Sequence, residues 1–185
     1  MNRAALAAAL ALAGCAGRSD VDVFNDPARA YADRLDALLA LRAAGDPAAY
    51  DAVRPALEAE AARAAGLSTM SDLEERGCAE ALLWLAERAD GAAPTLMELY
   101  LERSRFSPER VRVAAARGLG RYPKEPSAGA ALWAALRDPK ELASVRGAAL
   151  QSLRAFHAPD ELRAKVAGLP SDGDAWLEAL KERLK

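Results

Sequence analysis

Two thiols, one imidazole and a set of regularly placed arginines are the side chains of this 185-residue chain whose types and spacing could do chemistry. A thiolate can attack an electrophile, accept a covalent group or bind a metal. Cys15 and Cys78 are too few for a disulfide framework. With only His157 beside them, they also fall short of a four-ligand zinc site or a Cys/His catalytic set. No phosphate loop, nucleophile elbow or paired-carboxylate motif occurs. No metal, no cofactor and no enzymatic activity are therefore expected. The two thiols differ in setting. Cys78 is followed at i+3, i+4 and i+7 by Ala81, Leu82 and Leu85, the spacing of one helix face, so it reads as a small buried hydrophobe. Cys15 closes an apolar N-terminal segment and is the thiol placed for modification.

That segment begins with Met1-Asn-Arg3, a short positive region, and continues as an Ala/Leu run from Ala4 to Ala13. A run of about ten residues is half of what a membrane-spanning helix needs, and it fits the apolar core of a signal peptide. It ends in Leu12-Ala13-Gly14-Cys15, which resembles the lipobox of bacterial lipoprotein precursors at every position. The resemblance covers only the first fifteen or so residues. It implies acylation of the Cys15 thiol, cleavage between Gly14 and Cys15, and anchoring by membrane lipid on the periplasmic side of the cell envelope. Each buried methylene of such an anchor contributes about 0.8 kcal/mol. In well-studied enteric bacteria an Asp after the cysteine retains lipoproteins at the inner membrane, so Ala16 points to the outer membrane instead. On this reading residues 1–14 are the signal peptide, 15–25 the acylated cysteine and a polar tether, and 26–185 the folded body. About nine extended tether residues would reach roughly 30 Å.

The arginines fall into two groups. Arg112 and Arg146 stand 34 positions apart in matching surroundings: Val111 matches Val145, Ala114-Ala115 matches Ala148-Ala149, and Leu119 matches Leu153. A fainter copy holds Arg76-Gly77, Ala79 and Leu83. Both arginines border the apolar stripe of their helices. They read as a structural ladder between repeats, with Asp138 at the hairpin turn, or alternatively as a ligand-binding pair. The second group, Arg110, Arg117 and Arg121, falls at i, i+7 and i+11 on the opposite side of the same helix. The stretch 103–124 holds seven basic residues against one acid, Glu109, whereas 46–90 holds ten acids against four arginines. Such asymmetry marks a candidate docking surface for an acidic protein or another anionic envelope component, or else a solvated face. The net charge of −2 gives no reason to expect nucleic acid, and no oligomeric state is specified.

The elements that must position these groups are helices. About a quarter of the chain is alanine, aromatics are 5%, and no stretch alternates as a strand would. Helix starts are expected at Asp26-Pro27, Asp46-Pro47, the capping box Ser71-Asp-Leu-Glu74, Thr95, Ser107-Pro108, Pro126, Ser144, Pro159 and Ser171. A bend or break is expected near Val53-Arg54, before Pro55. Self-similarity at 34 to 36 residues in such sequence predicts stacked helical hairpins. The body resembles HEAT-repeat proteins, particularly the bacterial HEAT-like repeats of phycobilisome lyases, on Ser107-Pro108, Val111-Arg112, Ala114-Ala115 and Leu119, and on Asp138-Pro139, Val145-Arg146, Ala148-Ala149 and Leu153. Coverage is good from about Leu96 to Phe156. The resemblance implies an all-α fold, a short right-handed α-solenoid of antiparallel helical hairpins. The expected function is a membrane-anchored lipoprotein acting as a protein–protein interaction or scaffold module. The competing readings are a pilotin-like assembly aid for a secretion or pilus machine and a HEAT-like lyase or cofactor-handling protein.

Overall fold

The computed structural model describes residues 19–65, 67, 69–89, 91, 93–102, 108–171 and 173–184. Among the described residues there are ten helices and no strand. By its internal contacts the chain divides into two compact units, one up to Val53 and one from Arg54 onward.

In the first unit, α1 (Asp20–Asn25) opens on a capping box. The Ser19 hydroxyl accepts from the Asp22 N–H at 3.3 Å, and the Asp22 carboxylate accepts from the Ser19 N–H at 3.3 Å. Phe24 is only 1% exposed. The expected tether over 15–25 is thus corrected at its end: from Ser19 on the chain is folded, because Phe24 has an apolar site to fill. Helix α2 (Tyr31–Ala44) begins later than Asp26-Pro27 suggests. The Asp26 carboxylate accepts from the Ala28 N–H at 3.0 Å, closing a side-chain turn where a helix was expected to start. The other end is as expected. Gly45 adopts a left-handed φ of 67°, and its N–H donates to the Leu41 carbonyl at 3.2 Å. Arg34 Nε donates to the Phe24 carbonyl at 3.1 Å and its guanidinium lies over the Phe24 ring at 5.7 Å, tying α2 to α1.

Helix α3 (Pro47–Ala62) starts with the Asp46 carboxylate accepting from the Ala48 N–H at 3.0 Å. It runs through Pro55 without the expected break. Proline removes one helical N–H, so the Asp51 carbonyl loses its donor, yet buried Val53, Leu57 and Ala61 hold the helical path on either side. The division between the units falls at Val53/Arg54, one residue before this proline.

The second unit holds α4 (Asp72–Glu87), α5 (Ala93–Glu102), α6 (Glu109–Leu119), α7 (Pro126–Arg137), α8 (Ala143–Leu153), α9 (Pro159–Ala167) and α10 (Ala175–Leu184). The Ser71–Glu74 box starts α4: the Ser71 hydroxyl accepts from the Glu74 N–H at 3.3 Å, and Glu74 accepts from the Ser71 N–H at 2.9 Å. Helix α6 packs between α4 and α8. Near their starts, Arg110 of α6 reaches Asp72 of α4 and the Ser144 hydroxyl of α8 donates to Glu109 of α6 at 2.5 Å. Near their ends, a Cβ on Gly118 would lie 3.3 Å from that of Ala86, and one on Gly120 would lie 2.9 Å from that of Ser152. Neighbours therefore meet start to start and end to end, and α4, α6 and α8 run side by side in one direction. Alanines 114–116, Ala148 and Ala149 are buried and let these helices approach closely. Helices α5 and α7 pack against this row and each other.

The core residues are Leu82, Trp84, Met97, Tyr100, Leu119, Leu132, Leu136 and Leu153, all under 2% exposed. Each buried leucine contributes roughly 1.5–3 kcal/mol. Helix α4 is buried around most of its circumference, as its sequence suggests, except that Leu73 is 45% exposed at its first turn.

Candidate functional site

Arg146 lies on the inward stripe of α8 and is 2% exposed. Its Nε donates to the Leu136 carbonyl at 3.0 Å, at the end of α7. Its two terminal nitrogens grip the Asp174 carboxylate, at 3.0 and 2.5 Å, in the bidentate geometry that suits a guanidinium. The guanidinium also faces the Trp176 ring at 4.3 Å. Asp174 itself accepts from the Leu177 N–H at 3.1 Å, at the start of α10. Its carboxyl is held below its ordinary value of 3.8, first by the hydrogen bond from Arg146.

Arg112 occupies the matching place on α6 and is 3% exposed. It forms an ion pair with Glu141, whose side chain is 1% exposed. Glu141 also accepts from the Leu142 N–H at 2.7 Å. The Arg112 Nε has no hydrogen-bond partner among the described residues. Burial pushes the guanidinium's pKa down, against the opposing fields of Asp138 and Glu109. Asp138 does not itself bond to either arginine. It accepts from the Lys140 N–H at 2.8 Å and shapes the turn between α7 and α8. The carboxylates that meet the buried arginines, Glu141 and Asp174, escape a reading of single repeats. The available signal is an offset: Glu141 follows Arg112 by 29 positions, and Asp174 follows Arg146 by 28.

The outward side of α6 carries Arg110 and Arg117, both exposed; Arg121, expected on the same helix, stands instead in the turn beyond the Gly120 cap and is also exposed. Arg110 is engaged, bridging to the Asp72 carboxylate at 3.0 Å and donating to the Asp72 carbonyl at 3.2 Å. Arg117, Arg121 and Lys124 have no ion-pair partner among the described residues. Three exposed cations, one on α6 and two in the turns after it, thus remain available to an anion approaching from solvent. Arg103 and Arg105, counted with this basic stretch in the sequence, lie outside the described residues, as do Ser107, Gly14 and Cys15.

Cys78 is fully buried, and its Sγ donates to the Ala61 carbonyl at 3.2 Å. The Tyr100 hydroxyl donates to the same carbonyl. Burial pushes the thiol pKa up to about 12 and raises the phenol's as well. His157 is held on both ring nitrogens. Trp133 Nε1 donates to its Nε2 at 3.1 Å, and Nδ1 faces Glu161 at 3.1 Å. Trp84 is core, whereas Trp133 and Trp176 are half-buried and face the cations Arg137 and Arg146. No group of three or more metal-ligating side chains occurs among the described residues, and no described helix is long and apolar enough to cross a membrane.

No family model, curated protein or solved structure matches the chain.

Proposed function

We propose that the chain is a bacterial lipoprotein, anchored through acylated Cys15, whose helical body serves as a protein–protein interaction or scaffold module at the periplasmic face of the envelope. The observation that carries this reading is the N-terminal sequence. A short positive start, an Ala/Leu run too brief to span a membrane and Leu12-Ala13-Gly14-Cys15 occur in the order that lipidation requires. The body fits a short right-handed α-solenoid of the HEAT-like kind. That arrangement accounts for the 34-residue echo, for three helices running side by side, and for arginines at equivalent places meeting carboxylates 28 and 29 positions on. Such a stack offers surface. The row Arg117, Arg121 and Lys124 is the part of it whose charge selects a partner, an acidic protein face.

The test is chemical. In a bacterial host fed a labelled fatty acid, the wild-type chain takes up label and partitions with membranes. Cys15→Ser abolishes the label and leaves the precursor uncleaved, while Cys78→Ala labels as the wild type does. Equal labelling of the Cys15→Ser and wild-type proteins would sink the proposal.

A further inference from the structure

A cleft of about 270 Å³ opens between the end of α8 and helix α9. Leu150, Leu162 and Val166 line it, together with Pro159. Leu162 and Val166 are 6% and 0% exposed, so the floor is firmly packed rather than a loose surface patch. Its polar rim consists of Arg154, His157 and Arg163. Two of these are already committed. His157 is held by Trp133 and Glu161, and Arg163 pairs with Asp160 at 3.1 Å. Lys165, on the same helix, pairs with Glu161 at 2.9 Å. Arg154 is exposed and has no ion-pair partner among the described residues. An apolar cleft with a single uncommitted guanidinium at its lip has the make-up of a small-molecule site, in which apolar walls bind and one polar group orients. The volume lies just under the roughly 300 Å³ at which pockets for drug-sized ligands begin, so the ligand is small and slender.

We propose that this cleft binds a medium-chain aliphatic carboxylate, its chain against Leu150, Leu162 and Val166 and its carboxylate on Arg154. The apolar walls recognise the chain without regard to its head. Arg154 then distinguishes a carboxylate from a neutral head by charge-assisted hydrogen bonds. The neighbouring acids Asp160 and Glu161 are paired with Arg163 and Lys165 of the same helix rather than with Arg154. The site does not depend on lipidation at Cys15, so it stands or falls separately from the anchoring proposal.

The experiment is a titration of the full chain carrying Cys15→Ser, which keeps detergent out, followed by methyl NMR. Octanoate is expected to shift the methyls of Leu150, Leu162 and Val166 saturably at low millimolar concentration. 1-Octanol should shift the same methyls about tenfold more weakly, and butyrate should not shift them. Arg154→Gln should bring octanoate down to the level of 1-octanol. Leu150→Trp, which fills the cleft, should abolish both responses without lowering the melting temperature. Absence of octanoate shifts, or octanoate binding unchanged by Arg154→Gln, would overturn the proposal.

Discussion

Arg112 and Arg146 occupy equivalent positions on neighbouring helices, are buried to nearly the same extent, and meet carboxylates at almost the same distance along the chain. Their surroundings nevertheless differ. Around Arg146 there are a backbone carbonyl, a bidentate carboxylate and an indole face. Around Arg112 there is one buried carboxylate, and Nε makes no hydrogen bond among the described residues. A repeat in sequence fixes where a side chain goes. The neighbours that satisfy it are not repeated: Arg112 meets one carboxylate from the turn before α8, whereas Arg146 has the Leu136 carbonyl at the end of α7 and, from the start of α10, a carboxylate and an indole.

The largest expected effect follows from breaking the better pair. Asp174→Ala leaves a guanidinium buried without its anion, and should cost about 3–5 kcal/mol by chemical denaturation. The same pair can be probed with protons. Because Asp174 is held below its ordinary 3.8, the native state takes up this proton less readily than the unfolded chain. Its contribution should be complete at neutral pH and be lost as pH falls below 3.8 through the folded-state value, and Asp174→Asn should flatten that part of the stability–pH curve. A stability–pH curve of the wild type that is level through this range would contradict the assignment.

The poorer pair should behave differently. Arg112→Met together with Glu141→Gln removes both charges and the unsatisfied Nε, while Gln retains an acceptor for the Leu142 N–H. Exchange of a buried ion pair for residues of similar volume is often neutral or better. The double variant should therefore stay within about 1 kcal/mol of the wild type, whereas Arg146→Met with Asp174→Asn should lose clearly more. Equal losses in the two doubles would erase the contrast.

The smallest effect on stability is expected on the outer side of α6 and in the turn that follows it. Charge reversal at Arg110, Arg117 and Arg121 should change stability by no more than about 0.5–1 kcal/mol, nearly all of it from the exposed bridge of Arg110 to Asp72. Binding to an acidic partner should weaken mainly through the association rate, and the loss should shrink as salt is raised. Partner binding at the wild-type rate would remove these arginines from the docking surface.

Local chemistry made much of this architecture legible. The Ser71–Glu74 box and the Gly45 stop are read from a few adjacent residues, and the structure has both. The spacing of Val111, Ala115 and Leu119 likewise announces the buried face of α6. Pro27 and Pro55 were legible only as punctuation. Asp26 and Asp46 make the same bond to the N–H two residues on, yet the first closes a turn and the second starts a helix, so an Asp-Pro pair with its side-chain bond does not by itself decide the start. Leu73 satisfies the apolar pattern of α4 but stands at a first turn that no neighbour covers. For the arginines the burial was legible and the acidic partner was not, because each carboxylate lies 28 or 29 positions further along the chain.

The hydrogen bond from Cys78 to the Ala61 carbonyl joins α4 to the last turn of α3 inside the second unit. With its thiol pKa pushed up by burial and no surface exposed, this cysteine is almost wholly protonated at neutral pH and out of reach of an external reagent. Any modification of it must wait until the two helices separate. In a chain lacking Cys15 the rate of that reaction becomes a clock for the opening of this seam, readable by mass.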